Sequence, residues 1–385
     1  MKNLAIIGST GSIGTQSIDL AKAKGYRVSA LACGSNIDLA EKQIREVAPS
    51  YFAVMDEDAA QVLKGRVADT DTIVEGGEQA VLRAASFEEC NIVINAATGI
   101  AGLKPTVAAI ESCKVLALAN KESLVCAGSV VMNMAKEKNI PILPVDSEHN
   151  AIFQCLQAGR HDEVDRLILT ASGGPFFGFD RDRLANVKAR DALKHPTWNM
   201  GSKITIDSAS LMNKGFEVIE ASWLFDVPVE KIDVVVHRES IIHSMVKYID
   251  GSVIAQMGST DMRLPIQYAV NYPERVKNPF KTLDIFEVGS LTFHRPDREN
   301  FPCLALCEEA AATGGNMGAV INGANEIAVA AFLRDEIGFL DIYETVKKAV
   351  EEVEFIAAPT LEDVFISDRK ARNIALTEVS RKGKR

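Results

Sequence analysis

Over the first 145 residues, short β-branched and apolar runs alternate with stretches whose apolar positions recur every three or four residues. The runs Leu4–Ile7, Val28–Ala32, Phe52–Val54, Ile92–Asn95, Val115–Leu118 and Ile140–Leu143 read as strands, with Thr15–Lys24 and Ile37–Val47 as amphipathic helices between them. Parallel neighbours need a crossover, so this alternation predicts an α/β, doubly wound parallel sheet over residues 1–145.

From 146 to 285 the pattern changes. Arg166–Thr170, Val234–Val236, Met245–Tyr248 and Val253–Met257 read as strands of a more open α+β sheet. A segment rich in Gly, Pro, Phe and charge, residues 173–202, separates the first two. A loop of that length inside a compact domain is usually a functional lid. An insertion carrying a short helix is the rival reading, and the charges of Arg181–Arg190 suit it. The lid is preferred because His195-Pro196-Thr197-Trp198-Asn199-Met200-Gly201 gathers many reactive and amphipathic side chains. Residues 286–302 read as an extended linker, and 303–385 as a small helical bundle in which Ile342, Val346, Ala349, Val350 and Val353 fall at helical spacing.

Length, 385 residues, exceeds what one ordinary core serves. Hydrophobic content of 47% with 24% charge is that of a folded chain, and no apolar run is long enough to span a bilayer or serve as a secretory signal. The net charge of −10 argues against nucleic-acid binding. Seven scattered cysteines without CxxC spacing read as free thiols of a cytoplasmic protein.

Gly8-Ser9-Thr10-Gly11-Ser12-Ile13-Gly14 follows the first strand and opens the first helix. Glycines there let the backbone turn tightly and approach a pyrophosphate, which the helix N-terminus then attracts. The spacing is GxxGxxG, so the evidence is its position at the head of a Rossmann-like domain rather than the motif alone. After the second strand the chain reads Gly34-Ser35-Asn36, with no carboxylate before Asp38 to hold a ribose 2′-hydroxyl. That favours NADPH over NADH, although Ser35 is not basic.

Two acidic clusters follow. In an extended Pro144–Glu148, Asp146 and Glu148 share one face and can meet a cation at the carboxyl edge of the sheet. Equally, Asp146 or Ser147 can cap a helix starting near Asn150. Further on, Asn213 and Glu217 are four apart on a helix and Lys214 lies near, in an apolar neighbourhood of Met212, Phe216, Val218 and Ile219. Buried charges need partners, and an oxygen-only donor set suits Mg²⁺ or Mn²⁺.

The blocks GSTGSIG (8–14), ANKESL (119–124), DSEHN (146–150), ASGGPF (171–176), HPTWNMG (195–201) and SASLMNKGFE (208–217) resemble, in this order, the 1-deoxy-D-xylulose 5-phosphate reductoisomerase family. The resemblance spans nearly the whole chain. It implies a homodimeric, NADPH- and metal-dependent enzyme that takes a small sugar phosphate. That substrate's carbon skeleton is rearranged, by fragmentation and rejoining or by a ketol shift, and the resulting aldehyde is reduced. It further implies that Thr10, Gly11, Ser12 and Ile13 line the pyrophosphate, with Gly34, Ser35 and Asn36 by the 2′-phosphate. Asn120 and Glu122 would hold the nicotinamide half, joined by Met200 and Gly201. Asp146, Glu148 and Glu217 would bind the metal. Lys121, Ser147, Glu148, Ser172, His195, Trp198, Ser208, Asn213, Lys214 and Glu217 would contact substrate. Lys121, Glu148 and His195 would be catalytic, with the general base left open between Lys121, Glu148 and a metal-bound water. Two rivals stand beside this: a homoserine- or semialdehyde-type dehydrogenase using Lys121, and an NADPH-sensing module. Neither needs three acidic ligands.

Overall fold

The computed structural model describes residues 2–193, 198 and 200–383. The chain divides into two compact units: Met1–Ser123 with Val131–Asn150 and Asp261–Thr282, and Leu124–Val130 with Ala151–Thr260 and Leu283–Arg385.

The first unit is built on strands β1 (Asn3–Ile7), β2 (Arg27–Cys33), β3 (Tyr51–Val54), β4 (Ile73–Gly76), β5 (Ile92–Asn95), β6 (Val115–Leu118) and β7 (Ile142–Pro144). All pair in parallel, in the order β4-β3-β2-β1-β5-β6-β7. Leu4, Ala5, Ile6, Val93 and Ile94 are fully buried, as strands covered on both faces must be. The order reverses between β1 and β5, the crevice where doubly wound sheets take ligands. Strand β4 is one the periodicity passes over, since it is short, lies at the edge and exposes Ile73. Strand β7 begins two residues later than expected.

The helix Arg263–Asn271 also belongs to this unit, although the sequence pattern assigns it to a catalytic domain ending at 285. Specific bonds hold it there. Lys2 Nζ donates to Val270 O at 2.6 Å, Tyr26 Oη to Asn271 Oδ1 at 2.7 Å, and Asn150 Nδ2 to Pro265 O at 3.3 Å.

The second unit holds a four-stranded sheet, β8 (Val164–Ala171), β9 (Ile232–Val236), β10 (Ile242–Tyr248) and β11 (Val253–Met257), in the order β11-β10-β8-β9. Strands β8 and β9 run parallel with Ala171 opposite Val236, while β10 is antiparallel to β8 and β11. Helices Ser202–Ala209 and Met212–Phe225 carry the second cluster of polar motifs. Helices Cys303–Thr313, Met317–Leu333, Phe339–Glu352 and Leu361–Lys382 follow. Met212, Phe216 and Ile219 share a core with Leu306, Cys307, Val320 and Ile321. The tail is therefore packed against the helix that bears Glu217.

The stretch opening the expected lid is partly regular. It contains short helices Arg181–Leu184 and Ala189–Ala192, anchored by the buried Leu184 and Ala192. Of the motif that follows, His195 lies outside the described residues, as do Lys194, Pro196, Thr197 and Asn199. The expected linker 286–302 is not loose, since Val236 and His294 exchange two main-chain hydrogen bonds of 2.9 Å. Among the described residues no helix is long and apolar enough to cross a membrane.

Candidate functional site

In the first unit the glycine turn is shaped mainly by backbone, with the buried Gln43 Nε2 donating to Ser9 O at 2.8 Å. The N–H groups of Gly8 and Ser9 both donate to Ala32 O, at 2.9 and 2.8 Å, which folds the chain sharply after β1. Gly8 has φ +83°, and a Cβ on it would lie 2.5 Å from Ala96 O. A Cβ on Gly14 would lie 2.3 Å from Gly8 O, so only glycine lets the helix Ser12–Lys24 start this close to the turn. Gly11 precedes that helix without a side-chain cap, which leaves the first-turn N–H groups to an anion. Thr10 and Ile13 are half-buried, Gly11 and Ser12 exposed.

Gly34, Ser35 and Asn36 stand exposed just past β2. Asn36 has a local task as well, its Oδ1 accepting from Leu39 N at 3.2 Å to cap the helix Ile37–Val47. Asn120 is likewise held in scaffold. Its Nδ2 donates to Ala97 O (2.8 Å), Gly99 O (2.9 Å) and Glu122 Oε2 (3.0 Å), tying the turn after β5 to the helix Glu122–Glu137.

Of the two readings of Asp146, the structure shows the helix cap. The Asp146 carboxylate accepts from Glu148 N at 3.2 Å, which starts a helix at Ser147 rather than near Asn150. Glu148 therefore sits in a first helical turn and not on an extended strand face, the geometry from which the shared ligand face was argued. The same Asp146 carboxylate lies 2.9 Å from Lys121 Nζ and 3.4 Å from His149 Nδ1. Burial opposes its ionisation, but the Lys121 ammonium and then His149 outweigh that and hold the carboxyl well below the usual carboxylate range. Ser147 Oγ donates to Glu148 Oε2 at 2.6 Å.

The second unit contributes a further cluster of side chains. The helix Met212–Phe225 turns Asn213, Lys214 and Glu217 to one side, and Asn213 Nδ2 donates to Glu217 Oε1 at 2.5 Å. Lys214 Nζ donates to Glu217 Oε2, and both side chains are nearly inaccessible, 4% and 1% exposed. A pair this deep is destabilising to break, because the survivor would be an unpaired buried charge. Glycine matters here too: a Cβ on Gly215 would lie 2.5 Å from Cys307 Cβ, so the glycine lets the two helices approach.

The turn after β8 carries Ser172, whose Oγ accepts from Gly174 N at 3.2 Å. A Cβ on Gly174 would lie 2.8 Å from Ser208 O, so this turn rests on the helix that bears Ser208. The Trp198 ring lies 6.0 Å from that of His243, and Met200 is half-buried. Gly201 precedes the helix Ser202–Ala209 in extended conformation.

Three models of 1-deoxy-D-xylulose 5-phosphate reductoisomerase match the chain. One spans residues 4–128, and two models of C-terminal domains span 142–225 and 257–374. The enzyme of this name from Lachnospira eligens is 51% identical over 96% of this chain and 97% of its own length. The chain belongs to the 1-deoxy-D-xylulose 5-phosphate reductoisomerase family. The reductoisomerase of Acetivibrio thermocellus is 52% identical over 97% of this chain and 98% of its own. A crystal structure of a DOX-P reductoisomerase in complex with NADPH, fosmidomycin and magnesium is similar with a TM-score of 0.94 and 39% identity, covering 99% of this chain and 98% of that one. The Zymomonas mobilis reductoisomerase in complex with NADPH gives 0.91 and 42%, covering 98% and 99%. Membership along the whole chain sets aside the dehydrogenase and sensing-module readings.

Two polar groups of the reductoisomerase chain escaped the motifs. Asp207, next to Ser208, is buried and bonded to Lys203 Nζ at 2.9 Å and to Asn325 Nδ2 at 2.8 Å. Arg238, past β9, donates to main-chain carbonyls of the Ser172 turn. The i, i+4 spacing of Lys203 and Asp207 was legible in the sequence. The Arg238 contact was not, since it joins residues 66 positions apart.

Proposed function

We infer that this chain is an NADPH- and divalent-metal-dependent oxidoreductase that converts 1-deoxy-D-xylulose 5-phosphate to 2-C-methyl-D-erythritol 4-phosphate, on the way to isoprenoid precursors. The observation that carries this is identity of 51% with a reductoisomerase over nearly the full length of both chains. The test is NADPH oxidation by the purified protein with the sugar phosphate and Mg²⁺, with the branched product identified by mass. Oxidation that survives a chelator, or that yields no branched polyol phosphate, overturns the reading.

We assign Asp146, Glu148 and Glu217 to the cation, Mg²⁺ or Mn²⁺. The donors are all hard carboxylate oxygens, and both Asp146 and Glu217 already hold a lysine ammonium, so positive charge is stable at each. When bound, the ion supplies Lewis acidity toward the substrate's carbonyl and hydroxyl oxygens, and NADPH supplies the hydride. The remaining work belongs to the chain. Lys121 Nζ, Glu148 and His195 are the candidates to hold or move protons. Ser147, Ser172, Ser208, Asn213 and Lys214 bind substrate, several of them its phosphate. Trp198 covers substrate, and Met200 and Gly201 flank the nicotinamide with Asn120 and Glu122. Residues Thr10–Ile13 receive the pyrophosphate, and Gly34, Ser35 and Asn36 the 2′-phosphate.

In domain terms, residues 1–145 serve the cofactor, 146–285 the chemistry with a lid at 173–202, save for the helix Arg263–Asn271 that packs in the first unit, and 303–385 brace the helix of Glu217, with 286–302 joining the last two. The enzyme works as a cytoplasmic homodimer on this reading. Strand β11 supports the dimer, being an edge strand that exposes Val253 and Ile254. Seven free thiols support a reducing compartment.

A further inference from the structure

Strands β8 and β9 run parallel in register, so the segments that leave them emerge side by side at one edge of the sheet. The ladder continues one step beyond, His237 N donating to Ala171 O at 2.7 Å. Immediately after these, the β8 segment forms the turn Ser172-Gly173-Gly174 and the β9 segment presents Arg238.

Gly173 and Gly174 both lie in the left-handed region, at φ +76° and +65°. Two consecutive glycines there make a turn with little intrinsic preference for one orientation of its peptide planes. Arg238 removes that freedom. Its Nη1 donates to Ser172 O and to Gly174 O, each at 2.7 Å. Because a peptide is planar and trans, drawing Ser172 O toward Arg238 directs Gly173 N–H the opposite way. Gly174 N–H is turned onto Ser172 Oγ, which orients that hydroxyl. The guanidinium itself is fixed by the Phe177 ring, 5.1 Å from its Cζ.

We propose that Arg238 is a positioning residue for substrate phosphate, acting by locking the Ser172–Gly174 turn so that the Ser172 hydroxyl and the Gly173 amide face the anion. This rests on the reductoisomerase reading and on Ser172 as a phosphate contact. In this role the arginine acts through the turn, its charge contributing through the two carbonyls it polarises.

Steady-state kinetics of the full-length Arg238→Ala and Arg238→Lys enzymes test it. Arg238→Ala is expected to raise KM for the sugar phosphate, and the inhibition constant of inorganic phosphate, by about tenfold, on the scale of one or two lost hydrogen bonds. KM for NADPH stays unchanged and kcat falls by less than about threefold, since uniform binding is what is lost. Arg238→Lys recovers most of the loss, because one ammonium can donate to both carbonyls. An unchanged KM overturns the proposal. So does a parallel worsening of both KM values with kcat, the signature of general loosening. Should Arg238→Ala fail to fold, Arg238→Gln is read the same way. A wild-type protein inactive on the sugar phosphate overturns the proposed function instead.

Discussion

The turn Gly8–Gly14 of the first unit and the helix Met212–Phe225 of the second offer candidate binding groups of opposite kinds. In the first, the turn Gly8–Gly14 is largely a backbone device: its shape depends on glycines whose Cβ would clash, and it offers main-chain N–H groups beside the hydroxyls of Thr10 and Ser12. In the second, the helix Met212–Phe225 is a side-chain device in which Asn213, Lys214 and Glu217 are held under cover by a hydrophobic core. A backbone device fails when an atom is added, whereas a side-chain device fails when a charge is removed.

The largest effect is expected at the side-chain device. Glu217→Ala should lower kcat/KM by roughly three orders of magnitude, as loss of an electrostatic stabiliser does, while NADPH affinity is retained. Loss of NADPH binding in this variant would erase the contrast. Next comes Gly14→Ala. Its new Cβ would lie within 2.5 Å of Ser9 Cα and even nearer Gly8 O. The strain of such overpacking, about 1–3 kcal/mol, should weaken NADPH by roughly ten- to a hundredfold with the metal requirement intact. Unchanged NADPH affinity would mean that the pyrophosphate lies elsewhere.

A smaller change sharpens the comparison. Ser35→Arg adds a cation at an exposed position beside the expected 2′-phosphate, and should tighten NADPH about three- to tenfold with little change for NADH. Equal gains for both cofactors would misplace the adenosine end.

The smallest effect concerns reactivity rather than activity. Burial pushes the thiols of Cys33 and Cys303 up to about 12, and those of Cys90 and Cys155 to about 11. A raised folded-state value keeps these groups as unreactive thiols at pH 8, and the stability they contribute is lost only as pH rises from about 9, the unfolded value, toward 11–12. Cys113 is the exposed one. A thiol reagent at pH 8 should therefore titrate one cysteine quickly, and all seven after denaturation. Several fast thiols in the native protein would contradict the buried assignment.

Much of this was written in the sequence, and what was not has physical reasons. Period and glycine spacing are local properties, so six strands of the first sheet, the turn at Gly8–Gly14 and the face shared by Asn213 and Glu217 could be read directly. Strand β4 was not legible because an exposed edge strand lacks the apolar run that marks its covered neighbours. The start of the helix at Ser147 was missed by a few residues because one Asp146 carboxylate both caps a helix and pairs with Lys121. Helix Arg263–Asn271 joined the first unit through contacts as distant in sequence as Lys2 with Val270, which no window of sequence contains. Arg238 belongs to the same class of long-range facts.

Mn²⁺ binding followed by electron paramagnetic resonance, on the wild type and on the Glu217→Ala and Gly14→Ala variants, tests the central contrast most directly. The account predicts that Glu217→Ala loses Mn²⁺ and keeps NADPH, and that Gly14→Ala keeps Mn²⁺ and binds NADPH roughly ten- to a hundredfold more weakly. Undiminished Mn²⁺ affinity in Glu217→Ala would contradict it.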